Sequence, residues 1–334
     1  MSKRSSTRKS ATVLGIVGTA MALVVGANAS ANAATYVNAG SDTLQNVTSA
    51  LTNEYAANVD PGGNNWVTVN SDVSQGGVNT GKAACDTNYG TNGRRPSWPG
   101  SHASGIRDLL NQRGKLLENC LSFVRVARSP RNLSEETALT WVRVAADSVT
   151  WATKKPGIPT DLTQRQLQDI FKCVITDWSQ IPGSTASGPI QKYLPSGYYS
   201  DVRAVFTEKV LGFDPTAAAN GSCSTTIVGI PTENQGTQAT STNAIMPYSK
   251  AAYSAQTNPA SGVLNRTDGF ILGNIDGKAP GEGDTSPNSF PGNNSVYFVY
   301  DPLYDATARE TIAFIDWAAN PAQRPIWAAY GFRP

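Results

Sequence analysis

Apolar and polar positions along this chain alternate between two rhythms, period two and period 3.6. VNAGSDTLQNVTSAL (Val37–Leu51) runs from a short apolar strand into a helix, with Ser41, Asp42 and Thr43 at the corner. WVTVNSDV alternates as a strand and is followed by a polar loop rich in Gly and Asn from Ser74 to Ser101. Beyond Gly105, the residues Ile106, Leu109, Leu110, Leu116 and Leu117 recur at helical spacing. SFVRVA (Ser122–Ala127) is a further strand, and LSEETALTWV predicts a helix that opens at Ser134 with Glu135 and Glu136 in its first turn. VRVAADSVTWA predicts a strand with a polar break, and LTQRQLQDIFKCVI an amphipathic helix with Leu162, Leu167, Ile170 and Phe171 on one face. SVYFVYDPL is strand-like, TARETIAFIDWAAN is the closing helix, and the stretch from Gly273 to Asn294 has the Gly, Pro, Asn and Asp content of a long surface loop. Alternating strands and helices predict an α/β fold, and no internal repeat or coiled-coil heptad is present.

The N-terminus changes the chain's address. Lys3, Arg4, Arg8 and Lys9 precede an apolar run from Ala11 to Gly26, and small residues follow around Ala31, Asn32 and Ala33. This is the pattern of a secretory signal peptide, residues 1–33, cleaved after Ala33 or, as a second option, after Ala29. No Cys follows the apolar run to carry a lipid. Those residues hold four of the 27 basic side chains and none of the 25 acidic ones, so the net charge falls from +2 to −2 on cleavage. A slightly acidic chain offers no basic surface for nucleic acid. No later apolar run reaches the roughly 18 residues of a membrane span, so the mature chain is expected to be secreted and soluble. About 300 mature residues exceed one ordinary core, which predicts two domains.

Four small polar clusters stand at or near the starts of helices: GSDT (Gly40–Thr43), GSHASG (Gly100–Gly105), ARSPR (Ala127–Arg131) and ENQGTQATST (Glu233–Thr242). The first backbone N–H groups of a helix have no partner within it and carry partial positive charge, so hydroxyls placed there let an oxyanion approach. One such corner is usually only a cap. Four in one exported chain point to a site where several of them converge. Catalysis is not expected. The single histidine, His102, adjoins Ser101, but neighbouring residues do not form a nucleophile–base pair, and no G-x-S-x-G elbow exists. With one His and no CxxC, neither a metal site nor a cofactor is expected. The seven tryptophans are spread along the chain and read mainly as packing.

GSDTLQNV, SGIRDLL, FVRVARSPR, LTQRQLQDIFKCVITDWSQI, PTENQGTQAT and FIDWAA, in this order, resemble the phosphate-type solute-binding proteins of ABC transporters, especially the secreted branch of Gram-positive bacteria. The resemblance covers nearly the whole mature chain. It implies a type II periplasmic-binding-protein fold, with two α/β lobes joined by two crossover strands and a ligand cleft between them. Lobe I would comprise 34–148 plus 297–334, and lobe II the inserted 149–296. By the same resemblance, Thr43 and the backbone of Leu44 contact the ligand, beside Ser41. Ser101 supplies a second hydroxyl, with Ser104 as the alternative, and Gly236 and Thr237 form the fourth loop. Gln235 stands where the family has Ser, Ser129 where it has Asp, and Pro231 where it has Arg. Arg128 offers a replacement charge, and Asp42 an acceptor for a protonated ligand; otherwise Arg128 pairs with an acidic surface residue and Asp42 caps the helix.

The cysteines Cys85, Cys120, Cys173 and Cys223 allow three pairings. Cys85–Cys120 with Cys173–Cys223 is preferred because each bridge then stays within one lobe, contributing roughly 3–4 kcal/mol. The expected function is capture of phosphate or a similar small oxyanion by a monomer, without enzymatic activity; whether a permease partner exists stays open. A second reading keeps the fold but makes the chain an extracellular interaction or matrix protein. The missing lipid-anchor Cys and the two lost charged contacts favour it, whereas the retained hydroxyl corners favour capture.

Overall fold

The computed structural model describes residues 34–69, 102–111, 120–196, 200–283, 289–303 and 308–334. The expected leader, Cys85, Ser101, the loop expected before it and the helical positions Leu116 and Leu117 lie outside these, as do the side chains of His102 and Ser104. The strands are β1 (Thr35–Gly40), β2 (Asn65–Thr68), β3 (Phe123–Val126), β4 (Thr140–Thr153), β5 (Asp161–Leu162), β6 (Gln191–Pro195), β7 (Val228–Ile230), β8 (Ala244–Ser249), β9 (Ile271–Leu272), β10 (Asn274–Ile275) and β11 (Asn293–Tyr300). The α-helices are α1 (Gln45–Asn58), α2 (His102–Asn111), α3 (Ser134–Thr137), α4 (Gln164–Phe171), α5 (Asp201–Val205), α6 (Lys250–Thr257), α7 (Ala308–Ala319) and α8 (Arg324–Ala329).

Among the described residues, one mixed sheet runs in the order β2-β1-β3-β11-β4-β8-β6-β7, with β9 also paired to β4. The 14-residue strand β4 belongs to both ends of it. Its residues Thr140–Ser148 pair with β11, and Val149–Thr153 pair with β8. The chain returns where Val149 N–H donates to Gly292 O at 2.9 Å and then enters β11. The last residues cross the same place: Ala146 and Arg333 exchange backbone bonds of 2.6 and 2.9 Å.

Period-two alternation sorts the strand residues into cores on opposite sheet faces. Tyr36, Phe123 and Phe298 join one core with α1, α7 and α8, whereas Val37, Val124 and Val299 join another with Ile106 and Leu109 of α2. Phe314 is central to the first, its ring 4.9 Å from Trp66, 5.2 Å from Tyr55 and 5.3 Å from Phe123. Past Val149 the same alternation feeds two different cores. Trp151, Leu194 and Ile245 pack with α4, while Ala152, Tyr193, Met246 and Tyr248 pack with Phe270.

Several elements depart from the pattern reading. The helix expected through LTQRQLQDIFKCVI is shorter: Leu162 is in β5, Thr163 forms a capping box with Gln166, and the helix ends at Phe171, two residues before Cys173 with φ +58°. LSEETALTWV is helical only over Ser134–Thr137, because Thr140, Trp141 and Val142 are captured by β11. The expected loop from Gly273 to Asn294 contains β10 and the start of β11. The disulfide Cys173–Cys223 is present. Cys120 is also disulfide-bonded, while the partner expected for it, Cys85, lies outside the described residues.

Candidate functional site

The first polar corner is built on a buried arginine. β1 and β3 run parallel until Gly40 lies opposite Arg125. A Cβ at Gly40 would sit 2.4 Å from the Arg125 carbonyl, and φ there is +111°, so the corner requires glycine. The Arg125 side chain, 0% exposed, turns back under the corner. Its Nε donates to Ser41 O (3.2 Å), Nη1 to Asn38 Oδ1 (2.5 Å) and Nη2 to Val69 O (3.0 Å). Burial lowers its pKa to about 9, a shift that the nearby Asp42 charge opposes, so it remains a cation at neutral pH. The corner itself is a 3-10 turn, Asp42–Leu44, leading into α1. Ser41 is 1% exposed, and its hydroxyl has no hydrogen-bond partner among the described residues.

Thr43 is where distant parts of the chain meet. Its hydroxyl donates to Glu233 Oε1 at 2.8 Å and accepts from Asn234 Nδ2 at 3.0 Å. Glu233 and Asn234 follow β7, 190 residues along the chain. Asn234 is held in the left-handed region, φ +58°, by Tyr248 and Gln256, which donate to its carbonyl at 2.6 and 2.8 Å, and by Ser249 N–H, which donates to its Oδ1 at 2.9 Å. Over-determined strain of this kind marks places where a side chain must be aimed. The second oxygen of Glu233 accepts from the Ser200 hydroxyl and from Val202 N–H at 3.1 Å. One buried carboxylate thus gathers two hydroxyls and a backbone N–H. Beside it, Asp201 accepts from Ala127 N–H at 2.9 Å, tying in the ARSPR cluster.

Burial, and secondarily the neighbouring Asp201, push the Glu233 carboxyl above its usual range. A raised folded-state pKa makes this carboxyl easier to protonate in the fold than in the unfolded chain. The associated stability is present at low pH and lost as pH rises through the raised value. The melting temperature of E233Q relative to the native chain is therefore expected to be highest at neutral pH, and the difference to shrink as pH falls toward about 4.3, the ordinary glutamate value. Thermal melts across this range check it; a pH-independent difference contradicts it.

The residues expected from sequence are brought together only in part. Asp42, Thr43 and Gln235 line a cavity of about 290 Å³ with Glu233, Asn234 and Arg266 among its other walls. Leu44 is fully buried. Gly236 is buried against the Thr267 carbonyl, which a Cβ would approach to 2.2 Å, while Thr237 is exposed. Arg128, 3% exposed, directs both terminal nitrogens to Glu136, donates to Ser129 O at 2.8 Å and lies 5.7 Å from the Trp141 ring centroid. Neither Arg128 nor Ser129 lines the cavity.

Sequence reasoning missed Arg125, Ser200, Asp201 and the individual roles of Glu233 and Asn234. An arginine within the apolar run FVRV and the Ser-Asp start of SDVRAVF carried the available signal. No group of three metal-binding side chains occurs among the described residues, and none of their helices is long and apolar enough to cross a membrane.

A model of the PBP superfamily domain matches residues 25–322. No curated protein matches the sequence significantly. Among solved structures, a putative phosphate ABC transporter substrate-binding protein of Clostridium perfringens with bound phosphate is similar at TM-score 0.58 and 17% identity, over 89% of this chain and 98% of that one. An ABC-type phosphate transport receptor of Vibrio cholerae gives TM-score 0.56 at 15% identity, over 90% and 99%. A phosphate binding protein of Stenotrophomonas maltophilia gives 0.55 at 15%, over 90% and 91%. At such identities the likeness establishes the fold, the two-lobe type II arrangement with a cleft between lobes. With the family model spanning most of its length, the chain belongs to the PBP superfamily domain family.

Proposed function

We propose that this solute-binding protein is exported and captures phosphate or a related small oxyanion between a lobe of residues 34–148 plus 297–334 and a lobe of 149–296, for uptake through an ABC-type permease. The observation that carries this reading is the set of donors on Glu233. The Thr43 hydroxyl from one lobe, with the Ser200 hydroxyl and Val202 N–H from the other, converge on a carboxylate, which is itself an oxyanion. Charge-assisted bonds of this kind hold phosphate oxygens equally well. The buried Ser41 hydroxyl is a further donor next to Thr43. Arg125 contributes a fixed positive charge behind the corner. Asp42 lines the cavity, and on this reading it accepts a ligand proton, which favours phosphate over sulfate.

Capture then works by differential affinity: a solute that bonds to both lobes stabilises the closed arrangement. Calorimetric titration of phosphate into the mature protein is expected to give saturable one-to-one binding, with sulfate weaker. In Thr43→Val, phosphate affinity is expected to fall at least tenfold, since one hydrogen bond to a charged group contributes about 1.5–3 kcal/mol. No heat at millimolar phosphate overturns this function. It would favour the second reading, an extracellular interaction protein on the same fold, for which the commitment of Arg128 to Glu136 is the supporting observation.

A further inference from the structure

Resting on that function, we propose that Glu233 is the resident anion of the site, and that a solute oxyanion binds by displacing its carboxylate from Thr43 into the adjoining cavity. Three observations lead here. The carboxylate uses the donors an incoming oxyanion needs: the Thr43 and Ser200 hydroxyls and Val202 N–H. A second anion on the same donors would meet repulsion, since Glu233 is buried and already feels the charge of buried Asp201. The fold provides room for the exchange. The 290 Å³ cavity is lined by Thr43, Glu233 and Arg266 among other residues. A rotation of the Glu233 side chain into this space exchanges its hydroxyl donors for the neighbourhood of a guanidinium, while Asn234 keeps the backbone in place through Tyr248, Gln256 and Ser249.

Glu233 thereby sets the affinity threshold of the site. A solute that binds Thr43 more weakly than the resident carboxylate is excluded, and the apparent affinity of a competent solute is reduced by the fraction of molecules in which Glu233 is in place. The Thr43–Glu233 bond also links the two lobes directly, so on this proposal it favours their close approach.

The test combines calorimetry with small-angle scattering on the native mature chain, E233A, the isosteric E233Q and Arg266→Gln, using inorganic phosphate as the probe. Phosphate affinity is expected to rise at least tenfold in E233A and severalfold in E233Q, and to fall severalfold in Arg266→Gln. Without phosphate, E233A is expected to show a larger radius of gyration than the native chain. Equal or weaker phosphate binding in both Glu233 variants, with the native chain binding, overturns the proposal and leaves the function standing. If no form binds phosphate, the oxyanion function fails and the displacement proposal fails with it. E233Q keeps the side chain's shape and so guards against a loss of fold in E233A.

Discussion

Arg125→Leu is expected to lower the stability of the protein by about 3–5 kcal/mol, the scale for removing one partner from a buried charged network. The leucine fills part of the space and satisfies none of the acceptors. The carbonyls of Ser41 and Val69 and Oδ1 of Asn38 lose the donors now 3.2, 3.0 and 2.5 Å away. Each orphaned buried acceptor costs about 1–3 kcal/mol. The loss is also local, because those groups shape the corner that aims Thr43 at Glu233. Urea denaturation is expected to show a lower midpoint with an unchanged slope. Arg125→Lys restores charge but not the planar five-donor fork, so it is expected to recover only part of the stability. A variant as stable as the native chain contradicts this account of the corner.

Replacing both Cys173 and Cys223 with serine is the second large effect, at roughly 4 kcal/mol. The bridge spans a sequence separation of 50. Restricting a loop of that length in the unfolded chain corresponds to about 4 kcal/mol in the chain-entropy model. The residues between the two cysteines include much of the core around Trp178, Leu194 and Phe206. The Lys192 ammonium lies 3.0 Å from Cys173 Sγ, is nearly buried and has its pKa lowered by that burial. Serine hydroxyls there give the amine oxygen acceptors and return a little of the loss. Denaturation of the double variant beside the oxidised native chain measures the difference; equal midpoints contradict it.

The fold was legible where the pattern was strictly local. The strand-to-helix corner at GSDT, the strand FVRVA and the helix through FIDWAA follow from periodicity and capping residues within a few positions, but that helix, which the pattern reads as the last, is followed by α8. The second half of the sheet was not legible. QKYLP, VGI and AIMPYS are short runs, and pairing with the end of β4 rather than intrinsic preference makes them strands. The same holds for the premature end of the helix at LSEET, where Thr140 onward is drawn into the sheet by β11.

For the candidate site, the sequence singles out Thr43 because hydroxyls before a helix have a local physical meaning. It did not locate Glu233, because a glutamate in a polar loop carries no mark of the hydroxyl it meets 190 residues away. Arg125 was hidden for a related reason. In an alternating strand an arginine reads as the outward position, yet here both faces of the sheet are covered and the backbone carbonyls of the corner supply its partners. Arg128 and Glu136 are eight residues apart, and their pairing depends on how the ARSPR turn folds back over α3.

The proposal for the Thr43–Glu233 pair is that a solute oxyanion takes the place of the Glu233 carboxylate. Its most direct test is a crystal structure of the mature protein grown with millimolar phosphate. The account predicts phosphate within hydrogen-bond distance of Thr43 Oγ1, with the Glu233 side chain withdrawn toward Arg266. Glu233 still bonded to Thr43, with phosphate absent from the cleft or bound elsewhere, would contradict it.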